Sequence, residues 1–590
     1  MERDTSRRRL MGSALAAMAA GTVGVAPGVA DGMVRGAALQ TGNHVPAVVS
    51  AHRLATDAGV EILDRGGSAA DAAIAVAATL SVVEPWFSSA LGGGTWALYY
   101  EAETGVVTSL DGVGPTGSRA TIADYGQRAD LPGIHQANVP GAWDGWMLWL
   151  ERYGRLDLGD VLAPAIRTAR DGYEIYDDMA SWLENRADII LSLPDSARIY
   201  APEGAVLREG ETVRLTDLAA TFEALAEAYA QAAGGGRTAA VQAARDHYYR
   251  GPLAEAIVAV SDEFDGYLTL DDFRTFEAEI VEPVSIAYRG DITVYQNPPN
   301  SQGMTQLLAL NTLKGLDLSS YELDDPDAIY LQVEAIKLAF ADRFAYVGDP
   351  DRVDIPIERL LSDEHADEQR RRIDPTSAVE WPIDITLGRT ASAHTTTFHV
   401  VDRSGNAAAV TTSLGANWLV IGDTGIHINN RMRMLSLEEG NANELTPGRK
   451  VRHTSCPYMA LRNGRPYILG GNTGVDTQPQ GQLQQFLSVV EFGLGAQAAI
   501  DRPRFVSTAF PSSAYPHEVG NQLLMEDGFP ERTVDDLRAR GHQVDVGGSG
   551  FGSANMLVVD ADGADAEFGA ESRSDTAAGE VSRSGLNEAG

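Results

Sequence analysis

The sequence has little of the chemistry that would form a disulfide framework or hold a metal ion. Cys456 is its only cysteine, which excludes an intramolecular disulfide. The 11 histidines form neither a His-Glu-x-x-His motif nor a Cys/His cluster, so no metal site is predicted. The glycine loop of residues 91–94 lacks the Gly-x-Gly-x-x-Gly spacing and a following helix, which excludes a dinucleotide site. We predict neither a metal nor a cofactor.

Long apolar runs and lysine are scarce as well. No apolar run reaches the length of a transmembrane helix, so we predict no membrane span. The only lysines are Lys314, Lys337 and Lys450, and 82 acidic against 46 basic residues give a net charge of −36. Such a surface repels nucleic acid and anionic membranes. The composition fits adaptation to high salt, where screening relieves self-repulsion, and equally a GC-rich genome that encodes arginine in place of lysine.

The first residues have the pattern of an export signal. Residues 6–12 contain a twin-arginine motif, an Ala/Gly-rich weakly apolar run follows over 14–25, and residues 28–30 offer a cleavage site. We therefore predict that residues 1–30 are a twin-arginine signal peptide. The protein would then be exported folded and be soluble in the periplasm or outside the cell. A basic, disordered N-terminus is the alternative interpretation.

Apolar periodicity and β-branched runs predict the main elements of an α+β protein. A buried, alanine-rich helix is predicted over 69–80, with further helices over 143–153, 161–172 and 215–233. A strand over 96–100 is predicted to pair with one over 106–110. The mixed charges of residues 362–372 are typical of a solvated helix face, on which His365 would not be a metal ligand.

The rest of the chain is organised around a predicted β-hairpin. Residues 395–401 and 407–413 are rich in β-branched side chains, and residues 402–406, Asp-Arg-Ser-Gly-Asn, are a turn. A register symmetric about Ser404 places Thr395 opposite Ser413 and Thr397 opposite Thr411. Threonine is a common strand former, so the hairpin alone also fits plain structural decoration. A row of buried hydroxyls is nevertheless a good arrangement for holding a nucleophile.

Several motifs after the hairpin resemble, in order and spacing, the small subunit of the γ-glutamyltranspeptidase family. The corresponding runs are residues 428–432 (Ile-Asn-Asn-Arg-Met), 453–457 (His-Thr-Ser-Cys-Pro) and 471–480 (Gly-Asn-Thr-Gly-Val-Asp-Thr-Gln-Pro-Gln). The run from Gly32 through the Val-Glu-Pro of residues 83–85 to the glycine loop resembles the start of that family's large subunit. The resemblance extends from about Gly32 to Gly579.

The resemblance implies an N-terminal-nucleophile hydrolase with a four-layer αββα sandwich, made as one inactive precursor. The family's self-cleavage site falls on the bond between His394 and Thr395. This divides the chain into a large subunit of residues 31–394 and a small subunit of residues 395–590, which would form a heterodimer. We also predict that the polar tail from about Ala577 is disordered.

The same resemblance assigns the catalytic roles. Thr395 is the nucleophile, and the α-amine that cleavage creates on it is the base that a weakly nucleophilic hydroxyl needs. Ser413 corresponds to the family's second threonine, which hydrogen-bonds the nucleophile. The oxyanion-binding glycines correspond to Gly474 and Val475, and the valine is compatible with this role because the hole uses backbone N–H groups, although it is less free in conformation than glycine.

The family's glutamate-binding residues are not retained. Residues 110–115 lack the arginine that binds the α-carboxylate of a γ-glutamyl group. The two carboxylate-binding serines correspond to His453 and Thr454, and the three ammonium-binding residues to Gly415, Arg431 and Met434. We list these five positions, with Thr397 beside the nucleophile, as candidate substrate-binding residues. Arg431 and Arg433 would receive a substrate carboxylate, or else form ordinary salt bridges.

These observations predict an exported, self-processing threonine amidohydrolase that cleaves a small γ-glutamyl or related N-acyl amide through an acyl-enzyme. Water is the main acceptor, and transfer to an amino acid is possible in principle. The departures resemble the family's amidohydrolases and acylases, including those acting on oxamate-like or glutaryl-type amides. One alternative is an authentic γ-glutamyltransferase and glutathione hydrolase with a rearranged binding shell. Another is an uncleaved, inactive member that acts as a binding protein.

Overall fold

Two β-sheets packed face to face lie between two layers of helices in the computed structural model of the chain. The structure describes residues 44–379, 395–415, 417–547 and 551–582. The predicted signal peptide and His394, with its bond to Thr395, lie outside the described residues. No helix within those ranges is long and apolar enough to cross a membrane.

The described residues contain 20 strands. In chain order they are β1 (Ala47–Ser50), β2 (Gly94–Glu101), β3 (Val106–Gly112), β4 (Tyr173–Glu174), β5 (Thr212–Val213), β6 (Glu279–Val281), β7 (Val284–Tyr288), β8 (Ile292–Gln296), β9 (Thr395–Val401), β10 (Ala407–Ser413), β11 (Val420–Ile421), β12 (Ile426–His427), β13 (Tyr458–Arg462), β14 (Arg465–Asn472), β15 (Phe505–Ser507), β16 (Gln522–Met525), β17 (Gln543–Val546), β18 (Ala554–Val559), β19 (Ala566–Gly569) and β20 (Ala578–Val581).

Nineteen α-helices accompany them in the same ranges. They are α1 (Arg53–Asp64), α2 (Ala69–Val83), α3 (Ile122–Tyr125), α4 (Ala142–Tyr153), α5 (Leu158–Asp171), α6 (Asp177–Asn185), α7 (Ala187–Ser192), α8 (Pro194–Tyr200), α9 (Thr216–Ala232), α10 (Arg237–Tyr249), α11 (Pro252–Glu263), α12 (Leu270–Thr275), α13 (Met304–Leu313), α14 (Pro326–Tyr346), α15 (Ile357–Leu360), α16 (Asp363–Arg370), α17 (Thr477–Val490), α18 (Ala496–Asp501) and α19 (Glu531–Ala539).

The first sheet has seven strands in the order β20-β1-β9-β10-β2-β3-β6, with the β9–β10 hairpin at its centre. The hairpin register pairs Thr395 with Ser413 and Thr397 with Thr411, which confirms the register predicted from the turn. The paired strands β2 and β3 also lie where the sequence predicts them. The second sheet has six strands in the order β19-β18-β14-β13-β8-β7.

Three hydrophobic layers hold the sheets and helices together. Side chains from facing strands, among them Leu98 and Val401 of the first sheet and Leu469 and Leu557 of the second, fill the space between the sheets. The outer face of the first sheet packs against α1, α2, α4, α5 and α9, and that of the second against α13, α14, α17 and α18. This arrangement is the predicted four-layer αββα sandwich.

Helix α2 connects the hairpin turn to the opposite end of β9. Its alanine-rich sequence makes every residue from Ala69 to Val83 buried, and a capping box between Ser68 and Asp71 starts it, so the predicted helix over 69–80 is confirmed and extended. The carboxylate of Asp402 accepts hydrogen bonds from the backbone N–H groups of Ser404 and Asn406 at 2.9 and 3.0 Å. Its second oxygen accepts one from the N–H of Ala69 at 3.0 Å, the first residue of α2.

Two sequence-based expectations are wrong. Residues 578–581 are not disordered, because they form strand β20 along β1, with Ala47 opposite Val581 and the Ser582 N–H bonded to the Pro46 carbonyl at 2.8 Å. Their sequence, Ala-Gly-Glu-Val, is only partly buried, as is typical of an edge strand. His365 does lie on a charged helix, α16, but it is buried and hydrogen-bonded through Nε2 to Asp342 Oδ2 at 2.7 Å.

Removal of β20 is expected to destabilise the protein. A chain ending at Ala577 would expose the unpaired edge of β1 and lose the hydrogen bond from Thr56 Oγ1 to the Ala578 carbonyl. We expect its melting temperature to fall by roughly 3–6 °C, since an edge strand contributes a few kcal/mol at most. A chain ending at Ser582 keeps these contacts and is the control. Equal melting temperatures for the two truncated chains would contradict the role assigned to β20.

Candidate active site

Thr395 is the first residue of β9 and is buried, with its side chain directed toward the second sheet. Its Oγ1 lies 3.0 Å from Ser413 Oγ across the hairpin. The side-chain amide of Gln478, near the start of α17, donates to the same Oγ1 at 3.4 Å. The hydroxyl is thus held by one group of the hairpin and one of α17, as a nucleophile with a fixed direction of attack requires.

The second contact of Ser413 is a buried arginine. Arg431 Nη1 donates to Ser413 Oγ at 2.9 Å, and Arg431 Nη2 donates to Asn430 Oδ1 at 3.0 Å. The guanidinium occupies one of the two acceptor positions of Ser413, so the serine hydroxyl can donate its own proton to Thr395 Oγ1, although either hydroxyl can be the donor of that hydrogen bond. In that arrangement the proton of Thr395 is not directed at Ser413.

Arg431 is a cation in an unusual setting. It is 0% exposed, and no carboxylate within the described ranges forms an ion pair with it. Burial, together with the neighbouring charge of Arg433, lowers the pKa of Arg431 to about 9. The guanidinium therefore places positive charge, balanced only by hydrogen-bond dipoles, one side chain away from the hydroxyl of Thr395.

The loop after β14 supplies two backbone N–H groups. Gly474 and Val475 line the same cavity as Thr395, and neither N–H has an acceptor among the residues that the structure describes. Both residues have positive φ, +91° and +58°. The left-handed region is costly for a β-branched side chain, so the surrounding contacts must hold Val475 in this glycine-like conformation.

The contact that holds this loop comes from Gln302. Its side-chain amide donates to the carbonyls of Val475 at 2.7 Å and Thr454 at 2.9 Å. Arg343 orients the amide by donating to Gln302 Oε1 at 2.9 Å, and Arg343 also forms an ion pair with Asp476 in the next position of the loop. All these groups are largely buried, which makes the hydrogen bonds directional supports for the two N–H groups.

Thr395, Gly474 and Val475 open into a cavity of about 620 Å³. One wall is aromatic and includes Trp86, Phe87, Tyr176 and Trp182, and a second contains Phe510 and Phe551. The charged residues that line it are mostly acidic: Glu84, Asp178, Asp476, Glu518 and Glu571, with Arg573 as the cation. This volume suits a small organic substrate.

Glu84 stands out among these acids. It follows the last residue of α2, is 7% exposed, and its Oε2 has no hydrogen-bond partner among the described residues. Burial raises the pKa of Glu84 to about 7, the nearby hydroxyl of Thr396 opposes the shift, and the charge of Asp178 adds to it.

The six candidate substrate-binding residues do not line this cavity. Arg431, Met434, Gly415 and His453 come together as packed interior behind Ser413, and a Cβ on Gly415 would lie only 1.8 Å from Asn430 Oδ1. The expectation that Arg431 receives a substrate carboxylate is therefore not met, because its guanidinium is already bound to Ser413 and Asn430. Thr397 bonds the Val410 carbonyl at 2.9 Å, between the sheets.

The two positions that correspond to the carboxylate-binding serines are also enclosed. His453 accepts a hydrogen bond from the Ser455 N–H at 3.2 Å, and burial beside Arg431 lowers the pKa of His453, so the ring is neutral. The Thr454 hydroxyl is buried, and its carbonyl accepts from Gln302. Asp111, in the segment without the family's arginine, pairs with Lys450 at 2.6 Å.

The described ranges hold no group of three or more His, Cys, Asp or Glu side chains that could bind a metal ion. Cys456 is buried beside Gln478 and Gln482, and burial raises the pKa of its thiol to about 12. A thiol in that state is a poor nucleophile, which indicates that Cys456 has a packing role.

The model of the gamma-glutamyltranspeptidase family matches residues 55–581. The chain belongs to this family. It is 36% identical over 540 residues to a glutathione hydrolase-like YwrD proenzyme of Bacillus subtilis, covering 90% of this chain and 97% of the relative. It is 30% identical over 540 residues to the glutathione hydrolase proenzyme of Escherichia coli, covering 88% of each.

A solved structure gives the same result. A cephalosporin acylase from Bacillus halodurans is 31% identical and superposes with a TM-score of 0.78, covering 92% of this chain and 96% of that one. The chain is thus a gamma-glutamyltranspeptidase-family hydrolase with the N-terminal-nucleophile sandwich. Both of the relatives from Bacillus subtilis and Escherichia coli are named as proenzymes.

Three residues of this gamma-glutamyltranspeptidase-family site were not assigned from the sequence. Gln302 and Gln478 lie within runs that resemble the family but carry no charge, so their roles appear only once the chain is folded. Glu84 lies in the Val-Glu-Pro run of residues 83–85. Its position in the turn after a buried helix was the only sequence feature that could have indicated a role in the site.

Loss of the Gln302 amide is expected to disturb the N–H groups of Gly474 and Val475. We expect Gln302→Leu to lower kcat about 10–100-fold, less than the loss of a whole oxyanion donor, because the donors remain but are misaligned. KM should change little, since Gln302 does not line the cavity. The measurement is steady-state kinetics on the mature enzyme.

Gln484→Leu is the matched control. Gln484 of α17 is also buried, and its side-chain amide donates a hydrogen bond to the Phe505 carbonyl at 2.8 Å. Both substitutions remove buried hydrogen bonds and should lower the melting temperature similarly. A similar fall in kcat for both would mean that Gln302 acts only through stability.

Proposed function

We propose that this chain is a self-processing threonine amidohydrolase that cleaves a γ-glutamyl or related N-acyl amide through an acyl-enzyme, mainly by hydrolysis. The observation that carries the proposal is the position of Thr395. Its hydroxyl lies at the start of β9, 3.0 Å from Ser413, beside a cavity onto which two backbone N–H groups open that have no acceptor among the described residues. The family membership supports the same reaction class.

Self-cleavage uses the same hydroxyl as turnover. Thr395 Oγ1 attacks the carbonyl carbon of residue 394, the C–N bond breaks as the nitrogen takes up the hydroxyl proton, and an ester results. Water hydrolyses this ester and leaves Thr395 with a free hydroxyl and a free α-amine. Before cleavage that nitrogen is an amide and cannot act as a base; afterwards its ordinary pKa is near 8.

In turnover the α-amine accepts the hydroxyl proton while Oγ1 attacks the substrate amide. The N–H groups of Gly474 and Val475 bind the oxyanion of the tetrahedral intermediate. The resulting ammonium returns the proton to the leaving amine, and an ester between the acyl group and Thr395 remains. Water, deprotonated by the same α-amine, then hydrolyses the ester.

Ser413 and Arg431 assist as a pair. With the Ser413 proton donated to Thr395 Oγ1, the nucleophile keeps a lone pair directed at the substrate and its own proton available to the α-amine. The positive charge of Arg431 favours the alkoxide that develops on Oγ1 and disfavours protonation of the nearby α-amine. Arg431 is in this scheme a positioning residue, since it acts on Thr395 through Ser413.

Substrate preference separates the proposal from its alternative. The glutathione hydrolase names of two relatives favour a γ-glutamyl substrate. The absence of arginine in residues 110–115 and the burial of the positions that correspond to the family's glutamate site favour another acyl group. We expect slower release of p-nitroaniline from γ-glutamyl-p-nitroanilide than from simple N-acyl-p-nitroanilides, and the opposite order would favour glutathione hydrolysis.

Self-cleavage is testable on a denaturing gel. The purified protein should give bands of about 39 and 21 kDa from the residue counts of the two subunits, with Thr at the N-terminus of the smaller one. Thr395→Ala should give one uncut band and no amide turnover, because the attacking hydroxyl is gone. Thr411→Ala removes a neighbouring hydroxyl of the hairpin and should still be cut. An uncut chain that hydrolyses amides would contradict the mechanism.

The role of Arg431 is testable in a pH profile. Arg431→Met should lower kcat about 10-fold and move the acidic limb of the kcat profile to higher pH by roughly 0.5–1 unit, because a neighbouring cation lowers the pKa of an amine and its loss raises it. Arg449 is also buried but donates only to backbone carbonyls. Arg449→Met should leave the limb in place; an unshifted limb in Arg431→Met would mean that Arg431 has only a packing role.

A further inference from the structure

The acidic residues of the active-site cavity are not equally neutralised. Asp476 pairs with Arg343, and Glu571 pairs with Arg504 at 2.5 Å and Arg573 at 2.9 Å. Glu84, Asp178 and Glu518 line the same cavity without an ion-pair partner in the part of the chain that the structure describes. The one cavity-lining cation, Arg573, is already bound to Glu526 at 2.6 Å and to Glu571.

The side chains around Glu84 form an aromatic wall. Trp86 and Phe87 directly follow Pro85, and their rings lie 5.5 Å apart. Tyr176 lies 6.2 Å from Trp86, and Trp182 lies 5.3 Å from Phe87. Asp178 stands on α6 between the last two and accepts a hydrogen bond from Ser574 at 3.0 Å.

This combination has a defined ligand chemistry. Aromatic faces attract alkylammonium groups, and a carboxylate among them adds a direct charge interaction. Glu84 is more than nine-tenths buried, lines the cavity, and has an oxygen without a partner among the described residues, so its desolvation is only partly offset by the nearby Thr396 hydroxyl. An anionic substrate group would meet three carboxylates that have no cationic partner among the described residues.

We propose that Glu84, Asp178 and the wall formed by Trp86, Phe87, Tyr176 and Trp182 are a subsite for a cationic ammonium group on the acyl part of the substrate. This subsite is separate from Gly415, Arg431 and Met434, the positions that the family resemblance assigns to an ammonium. The inference rests on the proposed amidohydrolase function and names the class of its substrate: N-acyl amides whose acyl group carries an ammonium and no free carboxylate.

The position of Glu84 fits this role in the reaction. Glu84 lies at the end of α2, close to the hydroxyl of Thr396, the residue after the nucleophile. A group bound between Glu84 and the aromatic wall is therefore in the same cavity as the carbonyl that Thr395 attacks. The carboxylate and the aromatic faces recognise the ammonium group itself. The chain length between the ammonium and the carbonyl then decides which amides react.

Three p-nitroanilides of equal chain length provide the test. Their acyl groups are 4-(trimethylammonio)butanoyl, which is permanently cationic, 5,5-dimethylhexanoyl, its neutral isostere, and glutaryl, which is anionic. At pH 8 we expect kcat/KM for the cationic anilide to exceed that of the neutral one about 10-fold, with the glutaryl compound lowest. In Glu84→Gln the cationic-to-neutral ratio should fall toward 1.

Glu255→Gln is the matched control, since it removes the same charge from an exposed position on α11 outside the cavity. It should keep the wild-type ratio. A ratio that is unchanged in Glu84→Gln, or a wild-type preference for the glutaryl anilide, would overturn the subsite. Trp fluorescence titrations with the three anilides give the same ratios from binding if Glu84→Gln is cut too slowly for kinetics.

The pH dependence adds a second readout. The trimethylammonium group does not titrate, so the cationic preference should rise as Glu84 ionises near its pKa of about 7. The other groups facing Glu84 are Asp178, Tyr173 and Tyr176, and both tyrosines stay neutral because burial raises the pKa of each. A preference independent of pH between 6 and 8 in the wild type would also count against Glu84.

The two levels of the proposal fail differently. If none of the three anilides is hydrolysed by a chain that has cut itself, the amidohydrolase function is wrong, whatever the fluorescence ratios are. If they are hydrolysed but the cationic anilide has no advantage over the neutral one in kinetics or binding, the function stands and the ammonium subsite is wrong.

Discussion

The register of the β9–β10 hairpin is the constraint on which the site depends. Side chains alternate between the faces of a strand, so a slip of one residue would turn Thr395 away from Ser413 and put Thr396 in its place. The turn prevents this slip. Asp402 binds the N–H groups of Ser404 and Asn406 and also the first N–H of α2, which ties the turn to a helix that is buried along its whole length. The nucleophile is thus positioned by a carboxylate at the far end of its own strand.

The buried interior near the site contains many polar side chains, and hydrogen bonds from several of them connect neighbouring segments of the chain. The helix after the oxyanion loop carries Gln480, Gln482 and Gln484, whose amides bond the carbonyls of Ser507, Cys456 and Phe505 in neighbouring segments. Amides supply donors and acceptors together without charge, so they fasten irregular chain segments to a helix at a lower desolvation cost than ions would. Arg343 and Asp476 are buried as an ion pair, whereas Arg431 and Glu84 are buried without an ion-pair partner among the described residues.

Local chemistry explains what could be predicted from the sequence. The hairpin register follows from five turn residues, and α2 follows from a capping box and an alanine-rich run, so both were predictable. The contact between Ser413 and Thr395 was predictable because both lie on that hairpin.

Arg431 was assigned to the substrate because a residue at its position binds ligand in the family, whereas in this chain a longer, charged side chain reaches Ser413 itself. The roles of Glu84 and Gln302 depend on segments far apart in sequence, for which no local pattern exists. The strand at 578–581 was missed because Ala-Gly-Glu-Val is too short and mixed a run to indicate a strand, and its backbone gains partners only when β1 is beside it.

The strand order of the first sheet limits how such a molecule can be assembled. Counted from one edge, β20 follows the proposed cut in sequence, β1 precedes it, β9 and β10 follow it, and β2, β3 and β6 precede it. Strands from the two proposed subunits therefore alternate in the sheet. Two separately synthesised chains would each present strands with missing neighbours on both flanks and would have to interleave them during association. One continuous polypeptide avoids that search, because its strands are already tethered when they pair. The proposed cleavage between residues 394 and 395 would therefore follow folding, and its two products would separate only if the sheet came apart, because their strands alternate within it.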